Sequence, residues 1–207
     1  TQGVLGAALG EAILGKKMGN KGALVGVLLA TIPDLDVFLY LYYDKLEMLS
    51  IHRGFSHSIL FSILGAIALA FIMSRLKWFK PIRFNTLLLF AWLCLFTHIL
   101  LDAFTAYGTQ LFLPFSARRL GFDSINVVDP VYTVPLIIGL VLSLWLYKSK
   151  PNRARFNGYG LLISSLYLIF TLVHKEQLQD KISDRMALEN IEYISMLTMP
   201  VGVANMN

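Results

Sequence analysis

The chain has 207 residues, of which 56% are hydrophobic and only 15% are charged, and its mean hydropathy is +0.63. This composition excludes an average soluble domain and favours a membrane protein. The net charge of +5 does not indicate a nucleic-acid partner, because the basic residues concentrate in short loops between apolar segments, as topology signals do. A single cysteine, Cys94, excludes a disulfide framework.

Apolar segments long enough to cross a bilayer follow one another along most of the chain. A spanning helix needs about 20 apolar residues, whereas the stretch 3–14 is shorter and carries Glu11. We predict a short or re-entrant helix there, packed against the other helices, with Glu11 either a ligand or, preferably, a helix–helix hydrogen-bond partner. The predicted spans are 22–43, 58–74, 86–105, 131–147 and 156–173.

These segments predict an all-α fold: a polytopic membrane helical bundle of about five spanning helices plus the N-terminal element. Residues 1–174 would form the membrane-embedded domain, and residues 175–207 an amphipathic extracytoplasmic tail. Three alternate loops are rich in Lys and Arg and are therefore predicted to be cytoplasmic. They contain Lys16, Lys17, Lys21, Arg75, Lys77, Lys80, Arg83, Lys148, Lys150, Arg153 and Arg155.

Six acidic and histidine residues lie inside these apolar segments or at their ends. An ionisable side chain in hydrocarbon is costly and rare unless it faces a cavity, a partner or a metal. Histidine and carboxylate together form the ligand set of zinc and related divalent metals. On the predicted topology all six lie towards the extracytoplasmic side. They are Asp34, Asp36, His52, His57, His98 and Asp102.

The spacing of these residues supports one shared site. His98 and Asp102 are four residues apart, so both project from one face of a helix. Pro33 is expected to break its helix and let the carboxylates of Asp34 and Asp36 turn inward.

The run from His52 to His57 adds two imidazoles to the same site. Gly54 between them is expected to permit a tight turn, so that both histidines reach one point. Ser56 is then predicted to be the N-cap of the third helix.

Six short motifs follow one another along the first part of the chain. They are Thr1-Gln2 with Gly6 to Gly10, Ile32 to Asp36, His52 to Ser58, Thr97 to Asp102, Tyr107 to Thr109 and Pro114 to Ser116. Together they resemble the YdjM-like family of inner-membrane, metal-dependent hydrolases, some of which are LexA-regulated. The resemblance covers about residues 1–150, and many members have His where this chain has Gln2. It implies a multi-pass protein of the bacterial inner membrane.

The family in turn is distantly similar to zinc-dependent phospholipase C. That likeness implies that Asp36, His57, His98 and Asp102 bind metal, with Asp102 able to bridge two ions. The phospholipases continue with a second His-x-x-x-Glu motif, where this chain has Gly108 and Phe112. One or two ions, of zinc or alternatively manganese, fit the remaining ligands, to which we add His52.

The expected activity is hydrolysis of a phosphoester in a membrane lipid or lipid-linked substrate by metal-activated water. Asp34 or Asp129 would accept the proton of the water. Arg53 is suited to hold a phosphate, and Arg118 and Arg119 to hold either a phosphate or an anionic headgroup.

Two alternatives remain open for the same residues. A metal or proton transporter or channel uses intramembrane acids and broken helices as well. A metal-stabilised scaffold without activity is the third possibility.

Overall fold

The computed structural model describes residues 1–43, 52–146, 152–189, 191 and 198. All regular elements in these residues are helical, which confirms the all-α prediction. The α-helices are α1 (Gln2–Met18), α2 (Asn20–Ala30), α3 (Ile59–Arg75), α4 (Phe84–Ala103), α5 (Pro130–Val141) and α6 (Arg153–Leu188). A π-helical segment, Leu142–Leu146, extends α5, and 3-10 helices lie at Pro33–Leu41, Phe55–His57 and Lys77–Phe79.

The described residues contain fewer helices with the length and apolarity of a membrane span than the sequence predicted. Helices α4 and α6 are long and apolar enough to cross a membrane. A third span results if α2 and the following 3-10 helix, bent by 47° between them, count as one. Helix α3 is apolar but has only 17 residues. Helix α5 together with its π-helical extension is also apolar and also has 17 residues. The structure therefore supports two or three spans, and the count of about five is not confirmed.

Helices α1 and α2 form a hairpin whose backbones touch. A Cβ atom at Gly6 or Gly10 would collide with the carbonyl oxygens of Gly26 and Gly22 on the opposite helix. Small residues at four-residue spacing permit this close approach, as they do between helices in membranes. The predicted N-terminal helix is thus confirmed as an element packed against its neighbours, although it continues to Met18.

Helix α1 occupies the centre of the bundle. The other two closely packed pairs are α3 with α4 and α5 with α6, and α1 contacts α4, α5 and α6 as well as α2. The carboxylate of Glu11 on α1 meets Ser143 and Arg153. The expected role of Glu11 in joining helices is therefore confirmed.

Helix α6 crosses the predicted boundary between the membrane domain and the tail. It continues without interruption past residue 174 to Leu188. From residue 190 onward, the predicted tail lies outside the described residues, except for 191 and 198. Residues 44–51 and two residues of the predicted cytoplasmic loops, Lys148 and Lys150, also lie outside them.

Candidate metal centre

Four of the predicted polar residues meet inside the bundle. One ligand atom from each of Asp34, His57, His98 and Asp102 lies within 4.8 Å of the others. Nε2 of His98 lies 3.3 Å from Nε2 of His57 and 3.3 Å from Oδ1 of Asp34. Oδ2 of Asp102 lies 3.2 Å from Nε2 of His57. We call these four side chains the Asp/His group.

The break between α2 and the following 3-10 helix places Asp34 in the Asp/His group. Helix α2 ends at Ala30, and Pro33 occupies the first position of the 3-10 helix, as the sequence predicted. The buried carbonyl of Ala30 accepts a hydrogen bond of 2.5 Å from Nδ1 of His98. That hydrogen bond places the proton on Nδ1, so Nε2 presents its lone pair to the Asp/His group.

The turn before α3 positions His57, but with a different local structure from the predicted one. Arg53 has the left-handed conformation, with φ of 59°, whereas Gly54 has φ of −88°. Ser58 caps α3 and accepts a hydrogen bond of 3.1 Å from the backbone N–H of Phe61. The predicted N-cap at Ser56 is therefore wrong, because Ser56 belongs to the 3-10 turn that precedes the cap.

Ser56 instead connects His57 to Asp36. Its hydroxyl donates to Oδ2 of Asp36 over 2.9 Å and lies 2.9 Å from Nδ1 of His57. With the hydroxyl proton directed at the carboxylate, Ser56 accepts from Nδ1–H of His57. The Nε2 atom of His57 then faces the Asp/His group as a lone pair, like that of His98.

The structure assigns the two neighbouring aspartates to different positions. Asp34, predicted as a proton acceptor, lies in the Asp/His group with 43% of its side chain exposed. Asp36, predicted as a ligand, lies behind His57 with 5% exposed. Its Oδ1 atom contacts Nδ1 of His52 at 3.0 Å, and its Oδ2 atom accepts the backbone N–H of Arg53. His52, also predicted as a ligand, therefore pairs with Asp36 rather than joining the four.

Arg53 and Gln2 contact the opposite oxygen of Asp102. Nη2 of Arg53 lies 3.3 Å from Oδ1, and the side-chain amide of Gln2 donates to the same atom. The guanidinium also donates to Oγ1 of Thr105 over 3.1 Å and lies over the ring of Tyr107. Sequence reasoning did not identify Gln2 as a contact of Asp102, because nothing local to α1 indicates that its first turn reaches α4.

The remaining predicted residues lie apart from the four. Nη2 of Arg119 donates to the carbonyl of His52 over 3.0 Å, and Arg118 is exposed. Asp129 caps α5, where Oδ1 accepts the backbone N–H groups of Val131 and Tyr132. Oδ2 of Asp129 accepts the hydroxyl of Tyr167 over 3.0 Å.

The Asp/His group has the chemistry of a divalent metal site. Oδ2 of Asp102 is buried and makes no hydrogen bond within the described residues, although a buried acceptor without a partner is costly. Burial lowers the pKa of His57, but the neighbouring carboxylates of Asp102, Asp34 and Asp36 outweigh it and raise the pKa above its ordinary value. The site thus attracts positive charge. Two imidazoles and two carboxylates suit zinc or manganese.

Comparisons with known proteins agree with a membrane protein. The model of the YdjM inner membrane protein family matches residues 1–178. The uncharacterized protein YfhP of Bacillus subtilis (strain 168) is 29% identical over 89% of this chain. The match covers 58% of the length of YfhP. The inner membrane protein YbcI of Escherichia coli (strain K12) is 25% identical over 69% of this chain, and the match covers 84% of the length of YbcI. No solved structure matches. With the family model matching most of its length, the chain belongs to the YdjM inner membrane protein family.

Proposed function

We propose that this protein is an integral-membrane, metal-dependent hydrolase that cleaves a phosphoester of a lipid or lipid-linked substrate. The observation that supports it is the Asp/His group, in which Nε2 of His57, Nε2 of His98 and Oδ2 of Asp102 face one another. Three of the four side chains are 0–2% exposed, while Asp34 is 43% exposed. The group is therefore closed by protein on most sides and accessible at Asp34.

The residues around the group divide into those that hold a metal and those that handle substrate. His57, His98 and Asp102 are buried and would hold the ion. When bound, zinc or manganese lowers the pKa of a water ligand and supplies hydroxide near neutral pH. Asp34 is placed either to complete the ligand set or to accept the proton of that water. Asp129 is a weaker choice for the proton acceptor, since both its oxygens already accept hydrogen bonds.

The arginines are assigned according to the contacts of Arg53 and the exposure of Arg118 and Arg119. Arg53 uses Nη1 and Nη2 on Thr105 and Asp102, so its role is to support Asp102 more than to clamp a phosphate. Exposed Arg118 and half-buried Arg119 remain the candidates for binding a substrate phosphate or an anionic headgroup.

The decisive experiment joins metal content to turnover. Purified protein should contain zinc or manganese, and His98→Ala should lose both the metal and the release of phosphate from lipid extracts. His174→Ala is the matched control, because His174 stacks on Phe170 in α6 and is not in the Asp/His group. Undiminished hydrolysis after removal of the metal would refute the proposal.

We further propose that the site faces the extracytoplasmic side of the membrane. The proposal depends on the Lys and Arg asymmetry of the loops. Single cysteines at Lys77, which is exposed, and at Asn126, which is half-buried, would be tested in a Cys94→Ala background. An impermeant thiol reagent outside intact cells should label position 126 and spare position 77. The reverse pattern would place the site at the cytoplasmic face.

One structural observation favours a second candidate, a metal or proton transporter. The bent pair of α2 and the 3-10 helix places Asp34 and Asp36 at a helix break, as transporters place ion-binding groups. Metal uptake into liposomes that depends on Asp34 and Asp36 would support transport over hydrolysis. Bound metal without turnover or flux would indicate a scaffold.

A further inference from the structure

The two oxygens of Asp102 have opposite surroundings. Oδ2 lies 3.2 Å from Nε2 of His57 and 3.7 Å from Nε2 of His98, and it accepts no hydrogen bond from the part of the chain that the structure describes. Oδ1 accepts the amide of Gln2 and faces Nη2 of Arg53 at 3.3 Å. One oxygen is therefore available to a cation, and the other already has two donors.

A second cation at Oδ1 would meet an unfavourable environment. It would have to displace the amide of Gln2 and lie close to the guanidinium of Arg53, which is charged at all relevant pH values. Two positive charges in a poorly solvated site repel strongly. Arg53 itself cannot easily move away, because Thr105 accepts from Nη1 and Tyr107 lies beside the guanidinium.

The other nearby carboxylate offers no alternative position. Oδ1 of Asp36 contacts the ring of His52, and Oδ2 accepts from the backbone of Arg53 and the hydroxyl of Ser56. Both oxygens of Asp36 are therefore engaged by protein. Within the described residues, the Asp/His group is the one set of acidic and histidine side chains with metal-ligand spacing.

We infer that the centre holds one divalent ion, which Asp102 binds through Oδ2 alone. Gln2 and Arg53 are positioning residues: they fix the carboxylate through Oδ1 and exclude a second ion from that side. The inference rests on the metal site of the proposed function. It also departs from the bridging role of Asp102 that the phospholipase likeness implies.

Mn²⁺ is the probe that tests the inference. Full-length protein in detergent, stripped with chelator, should take up one Mn²⁺ per chain and give the electron paramagnetic resonance spectrum of an isolated ion. Two ions per chain with an exchange-coupled spectrum would overturn the inference and leave the proposed function standing. Binding of neither Mn²⁺ nor Zn²⁺ would overturn the proposed function as well.

Variants of the two positioning residues complete the test. Gln2→Met removes the donor at similar size and should weaken Mn²⁺ binding about 10- to 100-fold, as loss of a ligand's supporting hydrogen bond does. The unfolding temperature of the metal-free protein should stay unchanged. Gln110→Met is the control, because the Gln110 amide donates only to the carbonyl of Ala117 at an exposed site. Equal Mn²⁺ affinity in both variants would contradict the positioning role.

A double variant tests the exclusion of the second ion directly. Gln2→Glu with Arg53→Met replaces two donors by one carboxylate and removes the permanent positive charge. It should bind a second Mn²⁺ and develop an exchange-coupled spectrum. A folded double variant that still takes up a single ion would show that Gln2 and Arg53 do not exclude the second.

Discussion

Among the described residues, two clusters that contain a buried carboxylate can be compared, and they differ in how their charges are balanced. In the Glu11 cluster, formed by Glu11, Ser143 and Arg153, both carboxylate oxygens accept hydrogen bonds: Oε1 from Ser143 and Nε of Arg153, and Oε2 from Nη2 of Arg153. In the Asp/His group, Oδ2 of Asp102 accepts none from the described residues. The carboxylate of the first cluster is satisfied by protein donors, and the second cluster could hold a metal ion.

This difference shows that a buried charge in an apolar helix does not by itself identify a functional site. Glu11 is 2% exposed and Asp102 is 1% exposed, so burial does not distinguish them. What distinguishes them is whether protein donors satisfy the carboxylate. A satisfied carboxylate stabilises helix packing, whereas a buried carboxylate oxygen without a donor, opposite two imidazoles, is what a metal site requires.

The largest effect is expected from breaking the Glu11 cluster. Arg153→Met leaves Glu11 buried without its partner and should cost about 3–5 kcal/mol of unfolding free energy. The loss should be the same with and without added metal, measured by denaturant unfolding in detergent. Arg155→Met, at an exposed position of the same helix turn, should cost little. A loss of metal binding in Arg153→Met would mean that the two clusters are not independent.

A somewhat smaller effect on stability is expected from binding a metal ion at the Asp/His group. Zn²⁺ at 100 times its dissociation constant should stabilise the wild-type protein by about 2.7 kcal/mol, because it binds the folded state alone. The stabilisation should persist in Arg153→Met and disappear in His98→Ala. Thermal unfolding with and without Zn²⁺ measures it, and equal stabilisation of His98→Ala would place the ion elsewhere.

Removing the charge of Asp36, which supports His57 through Ser56, should have a smaller effect again. Asp36→Asn keeps an acceptor for the Ser56 hydroxyl but removes the charge that orients the chain from Asp36 through Ser56 to His57. Metal affinity should fall about 10- to 100-fold, as it does on loss of such support, while metal stoichiometry stays the same. Asp123→Asn is the control, since Asp123 pairs with Lys175 instead. Complete loss of the ion from Asp36→Asn would favour the predicted role of Asp36 as a direct ligand.

The sequence predicted the elements of the site better than their roles. The i, i+4 spacing of His98 and Asp102 and the helix break at Pro33 are local signals, and both are confirmed. The choice between Asp34 and Asp36 depends on the pitch of a nine-residue 3-10 helix, which hydropathy does not reveal. The predicted spans locate α3 and α5, but whether a 17-residue apolar helix crosses a membrane is not decided by composition.

The smallest effect is expected at Asp129, and it separates capping from catalysis. Asn and Asp are similarly good N-caps, so Asp129→Asn should still accept the N–H groups of Val131 and Tyr132. The unfolding free energy should fall by less than about 1 kcal/mol, because the amide NH2 that replaces Oδ2 can donate to the hydroxyl of Tyr167, which takes no part in the cap. Phosphate release should stay near the wild-type rate, while Asp34→Asn should abolish it. If Asp129→Asn abolished turnover while stability and metal content were retained, Asp129 and not Asp34 would be the proton acceptor.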